Sequence, residues 1–150
     1  MNARTLIAAL FALATAPVWA NDACSTDIAG TDQMTYDKSE IVIPKSCKTF
    51  TVTLKHPGEM PVSVMGHNWV LAKTDDLEGI DADGQDAGES NNYLKPGDSR
   101  VLAHTRLIGA GEQDSVTFDT ALLKAGTAYS FFCSYPVHAN VMKGEVKLGG

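Results

Sequence analysis

Seven residues, Thr49–Lys55, narrow the choice of fold before anything else is considered: Phe50, Val52 and Leu54 fall on one face and Thr49, Thr51 and Thr53 on the other. A side-chain period of two means an extended strand, and this pattern means a sheet buried on one side and wet on the other. Comparable segments recur from Cys24 onward, and strands are predicted at Glu40–Ile43, Arg100–Leu107, Ser115–Asp119, Ala128–Tyr135 and Gly144–Leu148. Turn-forming clusters separate them: His56-Pro57-Gly58, Lys95-Pro96-Gly97-Asp98, Gly109-Ala110-Gly111 and Lys124-Ala125-Gly126. Such a chain reads as an all-β sandwich or barrel. Thr74 to Glu89 is the exception. There Leu77 and Ile80 share a helical face, Thr74 is placed as the N-cap, and Gly79, Gly84 and Gly88 shorten any helix, so a short peripheral helical flap is expected.

Residues 1–20 read as a secretory leader. Arg4 supplies the positive end, Leu6 to Ala16 is the apolar run, Pro17 breaks it, and Val18-Trp19-Ala20 offers the cleavage positions. The run is too short to span a bilayer of about 30 Å, so no membrane insertion is expected after cleavage. Residues 21–150 then form one domain, long enough to bury about two thirds of its unfolded surface. With 44% hydrophobic and 20% charged residues, the chain resembles neither a disordered segment nor a coiled coil. Acids number 18 against 12 bases, and seven of those acids lie between Asp75 and Glu89, where Lys and Arg are absent. The acidity is therefore local. Without a basic run or a basic amphipathic stretch, nucleic acid and anionic membrane are not expected partners.

Chemistry concentrates near the C-terminus, in Phe131-Phe132-Cys133-Ser134-Tyr135-Pro136-Val137-His138-Ala139-Asn140-Val141-Met142-Lys143-Gly144. The spacing C-x4-H-x3-M places a thiol, an imidazole and a thioether on one loop between two predicted strands. A second imidazole stands in Met65-Gly66-His67-Asn68-Trp69. Two imidazoles and a thiolate in a plane, with a weak axial thioether, are the donors of a blue-copper electron-transfer centre, because that set tolerates both Cu(II) and Cu(I). Zinc is the chemical competitor, but it favours a fourth Cys, His or carboxylate over methionine. Alone, Cys133 would pass for a buried structural cysteine and Met142 for a core filler. A Cys133–His138 nucleophilic pair is a rival reading, though neither an orienting acid nor an oxyanion loop is evident; copper storage or delivery is another. His104 reads as a surface strand residue, His56 as partly buried, and neither as a metal ligand. Trp69 reads as core.

The Cys133-x4-His138-x3-Met142-Lys143-Gly144 loop, the Met65–Trp69 segment and the Tyr93-Leu94-Lys95-Pro96 turn are similar to those of the azurins, the bacterial blue-copper proteins of the cupredoxin family. The similarity runs from Cys24 to Leu148. This resemblance implies a Greek-key β-sandwich and an electron carrier rather than an enzyme. It implies one copper ion held strongly by His67, Cys133 and His138 and weakly by Met142, with the Gly66 carbonyl on the opposite axial side. It also implies backbone donors to the Cys133 sulfur from Asn68 and Tyr135, and an Asn68 side chain that ties the two ligand loops together. If Cys133 stays a thiolate, Cys24 and Cys47 are left to form a disulfide, as the family pattern also has it. The expected partners are redox proteins, namely c-type cytochromes, dehydrogenases or terminal reductases, docking transiently near His138 on a periplasmic monomer. Met34, Val64, Met65, Pro136 and Val137 would form the apolar patch there. Two positions depart from the family pattern: Val137 stands where glycine is usual, and Gln85 at a place that is apolar in some relatives.

Overall fold

The computed structural model describes residues 24–149, so the expected leader over residues 1–20 lies outside the described residues. In chain order the elements are β1 (Ser25–Thr31), β2 (Thr35–Tyr36), β3 (Glu40–Ile43), β4 (Thr49–Lys55), a single helical turn α1 (Val62–Met65), β5 (Val70–Lys73), helix α2 (Leu77–Ala87), β6 (Ala103–His104), β7 (Gln113–Asp119), β8 (Tyr129–Phe132) and β9 (Lys143–Leu148). They build two sheets, ordered β2-β1-β4-β7 and β3-β9-β8-β5-β6. The β1–β4 and β3–β9 pairs are parallel and the others antiparallel, the mixture of a Greek-key sandwich. Among the described residues no helix is long and apolar enough to cross a membrane.

The alternation at Thr49–Lys55 does what its period demands. Phe50, Val52 and Leu54 are buried between the sheets. On the outer face Thr51 meets Thr117 and Thr53 meets Ser115, each hydroxyl pair at 2.8 Å, in the antiparallel register that sets Phe50 opposite Phe118. Trp69 is fully buried and stacks between Phe118 and Phe131, at 6.1 Å from each. Cys24 and Cys47 form a disulfide with a sequence separation of 23, a loop whose closure stabilises the fold by about 3 to 4 kcal/mol in the chain-entropy picture.

The flap forms over a shorter span than expected. Thr74 is not its N-cap: the Thr74 hydroxyl pairs with Ser130 Oγ at 2.9 Å, a 3-10 turn covers Thr74–Asp76, and α2 begins at Leu77. Leu77 and Ile80 pack with Val70, Ala72 and Phe132, the outer face of the five-stranded sheet, while Leu71 and Phe131 on the inner face belong to the main core. This covering explains why β5 and β8 are buried on both sides and do not alternate. The helix runs through Gly84 and ends at Gly88, where φ is 72°.

The strand expected at Arg100–Leu107 contracts to Ala103–His104 because side chains take its donors. Arg100 N–H bonds Asp98, Arg106 N–H bonds Asp114 and Leu107 N–H bonds the Asn92 side chain. Likewise β8 stops at Phe132, and Ser134 N–H turns to Asn68 Oδ1 at 2.9 Å.

Candidate metal centre

Antiparallel pairing of β8 with β9 brings Phe132 opposite Lys143 and closes the loop that holds Cys133, His138 and Met142. Inside it the Cys133 N–H donates to the Met142 carbonyl at 3.0 Å, and His138 opens a 3-10 turn. His67 lies between α1 and β5, its backbone bonded in both directions to Ile108 at 3.0 and 2.8 Å. The two sequence-distant segments therefore converge. One donor atom from each of His67, Cys133 and His138 lies within 4.8 Å of the other two, and all three residues are buried. Cys133 Sγ is 3.9 Å from His67 Nδ1, 3.6 Å from His138 Nδ1 and 3.8 Å from the Gly66 carbonyl oxygen. Met142 is completely buried at the end of the same loop.

Hydrogen bonding orients these donors. His67 Nε2 lies 2.9 Å from the Thr31 carbonyl, which can only accept. The proton is thus on Nε2, and Nδ1 presents a lone pair on the sulfur side. Asn68, the next residue, joins the loops as the resemblance implies: Oδ1 accepts from Ser134 N–H and Nδ2 donates to Ser134 Oγ at 2.8 Å. Asn68 and Tyr135 also bring backbone N–H groups to the Cys133 sulfur. Nothing in the sequence marks Thr31 or Ser134 for these roles, because backbone acceptors and short polar side chains in loops carry no spacing signature.

Burial governs the protonation of the cluster. It pushes the Cys133 thiol up to about 12, against the pull of the Asn68 and Tyr135 N–H groups. Burial lowers His138 to about 4, and burial with the neighbouring His56 and His138 lowers His67 to about 4. At neutral pH the site therefore holds two neutral imidazoles and a thiol that only a bound cation would ionise. A fully buried thiol held protonated is the reverse of an activated nucleophile, which removes the support for the Cys133–His138 enzyme reading. The soft sulfur and borderline nitrogen donors, with a buried thioether adjacent and no carboxylate in the cluster among the described residues, fit copper.

The other histidines stay outside the cluster. His104 is exposed on β6. His56 is more buried than expected, with Nε2 at 2.9 Å from Asp32 Oδ1 and its ring 4.6 Å from that of His67. Val137, immediately before His138, is 66% exposed and left-handed, with φ 67°. Gln85, on α2, donates to the Ser134 carbonyl at 3.3 Å and to Asp81 Oδ1 at 3.1 Å, so a polar side chain stands at the flap edge of the site.

Known proteins are similar to this chain in sequence and in fold. Residues 22–149 match the family profile of copper binding proteins, plastocyanin/azurin family. The azurin of Bordetella pertussis is 60% identical over 140 residues, covering 93% of each chain, and the azurin of Pseudomonas aeruginosa is 53% identical over 139 residues, again 93% of each. Among solved structures, the azurin Az-iso2 from the obligate methylotroph Methylomonas sp. strain J superposes with a TM-score of 0.82 at 46% identity, covering 85% of this chain and 98% of that one. With the sandwich, the disulfide and the buried His-Cys-His cluster in place, the chain belongs to the plastocyanin/azurin family of copper-binding proteins, electron carriers rather than enzymes.

Proposed function

We propose that this chain is a periplasmic one-electron carrier that accepts and donates electrons between respiratory redox proteins such as c-type cytochromes, dehydrogenases and terminal reductases. The observation that carries the reading is the convergence of His67 Nδ1, Cys133 Sγ and His138 Nδ1 in a buried pocket. These three residues would hold a copper ion, with the buried Met142 thioether as a weak additional donor and the Gly66 carbonyl oxygen close by, 3.8 Å from Cys133 Sγ. Bound copper supplies the Cu(II)/Cu(I) couple. The protein's own contribution is rigidity: His67 is pinned by Thr31 and Ile108, and the Cys133 loop by Asn68, so the donors keep their places in both oxidation states. Partners dock transiently beside His138, where Val64, Val137 and Val141 are each more than half exposed and Met34, Met65 and Pro136 are half-buried. The protein acts as a monomer, exported by a leader over residues 1–20.

The deciding measurement is the absorption spectrum of the copper-loaded, oxidised protein. An intense visible thiolate-to-copper band, bleached reversibly by reductant, is expected. A colourless copper complex would refute the centre, and rapid loss of Cu(I) to a weak chelator would point to delivery instead.

A further inference from the structure

Asn92 lies outside both ligand loops, at the end of the flap, yet each loop is bonded to it. Its carbonyl accepts from Asn68 Nδ2 at 2.9 Å and from Ser134 Oγ at 2.9 Å. Its side-chain Oδ1 accepts from Leu107 N–H at 2.8 Å, and the next residue, Ile108, is the backbone partner of His67. One half-buried residue thus touches the neighbour of His67, the neighbour of Cys133 and the segment whose Ile108 braces His67.

The backbone conformation needed for this is unusual. Asn92 has φ 57° and Tyr93 φ 50°, two successive non-glycine residues in the left-handed region. Each such residue is strained and persists only where its surroundings impose it. Asparagine is among the side chains that tolerate this region best. Tyr93 is held by its neighbours: its ring lies 5.3 Å from that of Tyr135, and its carbonyl is packed so closely on Gly84 that a Cβ there would fall 2.1 Å from the oxygen. The conformation aims the Asn92 carbonyl inward at two donors whose residues, Asn68 and Ser134, are fully buried. If the carbonyl moved away, the Ser134 hydroxyl would lose its acceptor and the Asn68 amide one of its two, in a site that water does not reach.

We propose that Asn92 is a positioning residue of the metal centre, which fixes the spacing of the two ligand loops through its carbonyl and its side chain together. It acts on the centre through Asn68 and Ser134, whose placement sets the hydrogen bonding of the Cys133 sulfur and hence the reduction potential. The inference rests on reading the cluster as a copper site, but its geometric part belongs to the protein alone.

The test measures amide hydrogen exchange in the metal-free protein, and the reduction potential in the copper-loaded protein, for Asn92→Ala and Asn92→Asp. In Asn92→Ala the Ser134 amide should exchange about tenfold faster or more, the Val52 amide in the core should be accelerated much less, and the potential should shift. Asn92→Asp keeps an acceptor for Leu107 N–H and should restore both readouts. If Asn92→Ala does not fold, Asn92→Gly decides, because it tolerates the left-handed backbone but lacks the acceptor; it should move both readouts in the same direction by less. Equal acceleration at Ser134 and Val52 with an unchanged potential would overturn the proposal. So would an Asn92→Asp protein as altered as Asn92→Ala, or an Asn92→Gly protein indistinguishable from the parent. A parent without a visible copper band would instead refute the copper reading, and the exchange data would still judge Asn92.

Discussion

Asn140 donates its side-chain amide to the carbonyl of Val137 at 3.1 Å, clasping a valine that holds φ 67°, ψ −12° at the edge of the His138 turn. A β-branched side chain in the left-handed region is a strained element, and here it is also exposed to the approach of a partner.

Val137→Gly removes the steric cost without disturbing a buried contact. It should stabilise the protein by about 1 kcal/mol, read as a raised denaturation midpoint. Electron self-exchange, measured by NMR line broadening of mixed oxidised and reduced protein, should quicken while the visible spectrum stays put. Equal or slower exchange would show that the valine is no obstacle and that its apolar surface helps docking.

Cys133→Ser should abolish the visible band, since a hydroxyl does not replace the thiolate as charge donor. Met142→Ala should keep a band and shift the potential, because an axial thioether tunes more than it holds. Loss of copper from Met142→Ala under conditions where the parent retains it would contradict the weak-axial assignment.

Gly30 on β1 gives the site its floor: a Cβ there would lie 2.9 Å from His67 Cδ2 and 2.9 Å from Met142 Cε. Gly30→Ala must displace one of them, at a cost of about 1 to 3 kcal/mol. The flexible Met142 methyl should yield first, altering the potential more than the ligation of His67. An unchanged potential in Gly30→Ala would place the Met142 side chain elsewhere in the site.

The metal-free protein should weaken in mildly acidic solution. His67 and His138 are lowered from 6.5 to about 4, so below pH 6.5 the unfolded imidazoles take up protons that the folded ones refuse. The contribution is complete above about pH 6.5 and lost as pH falls toward about 4. Asp32 and Asp98 are held below the ordinary carboxylate range, so their losses come lower still. Urea midpoints at pH 7 and pH 4.5 check this; identical midpoints would mean that the imidazoles are not desolvated.

Alkylation should distinguish the cysteines. Buried and protonated, Cys133 should resist iodoacetamide in the native metal-free protein at neutral pH, then become the sole labelled cysteine on unfolding without reductant. Fast native labelling would indicate that the ligand loop opens.

The sandwich class, the limits of Glu40–Ile43 and Thr49–Lys55, and the identity of the soft donors are legible in residue order, because strand alternation and ligand chemistry are local properties of residue type and spacing. Residue order did not mark β5, whose two buried faces erase the alternation, nor shorten Arg100–Leu107, whose backbone donors are claimed by side chains from three other segments. Packing of distant segments is what brings His67 to Cys133 across a separation of 66 residues, buries His56 fully against His67 where partial burial is expected, and sets Thr31 and Asn92 beside the ligand loops. Those are relations between backbone groups and loops brought together by sheet pairing, and no periodicity along the chain encodes them.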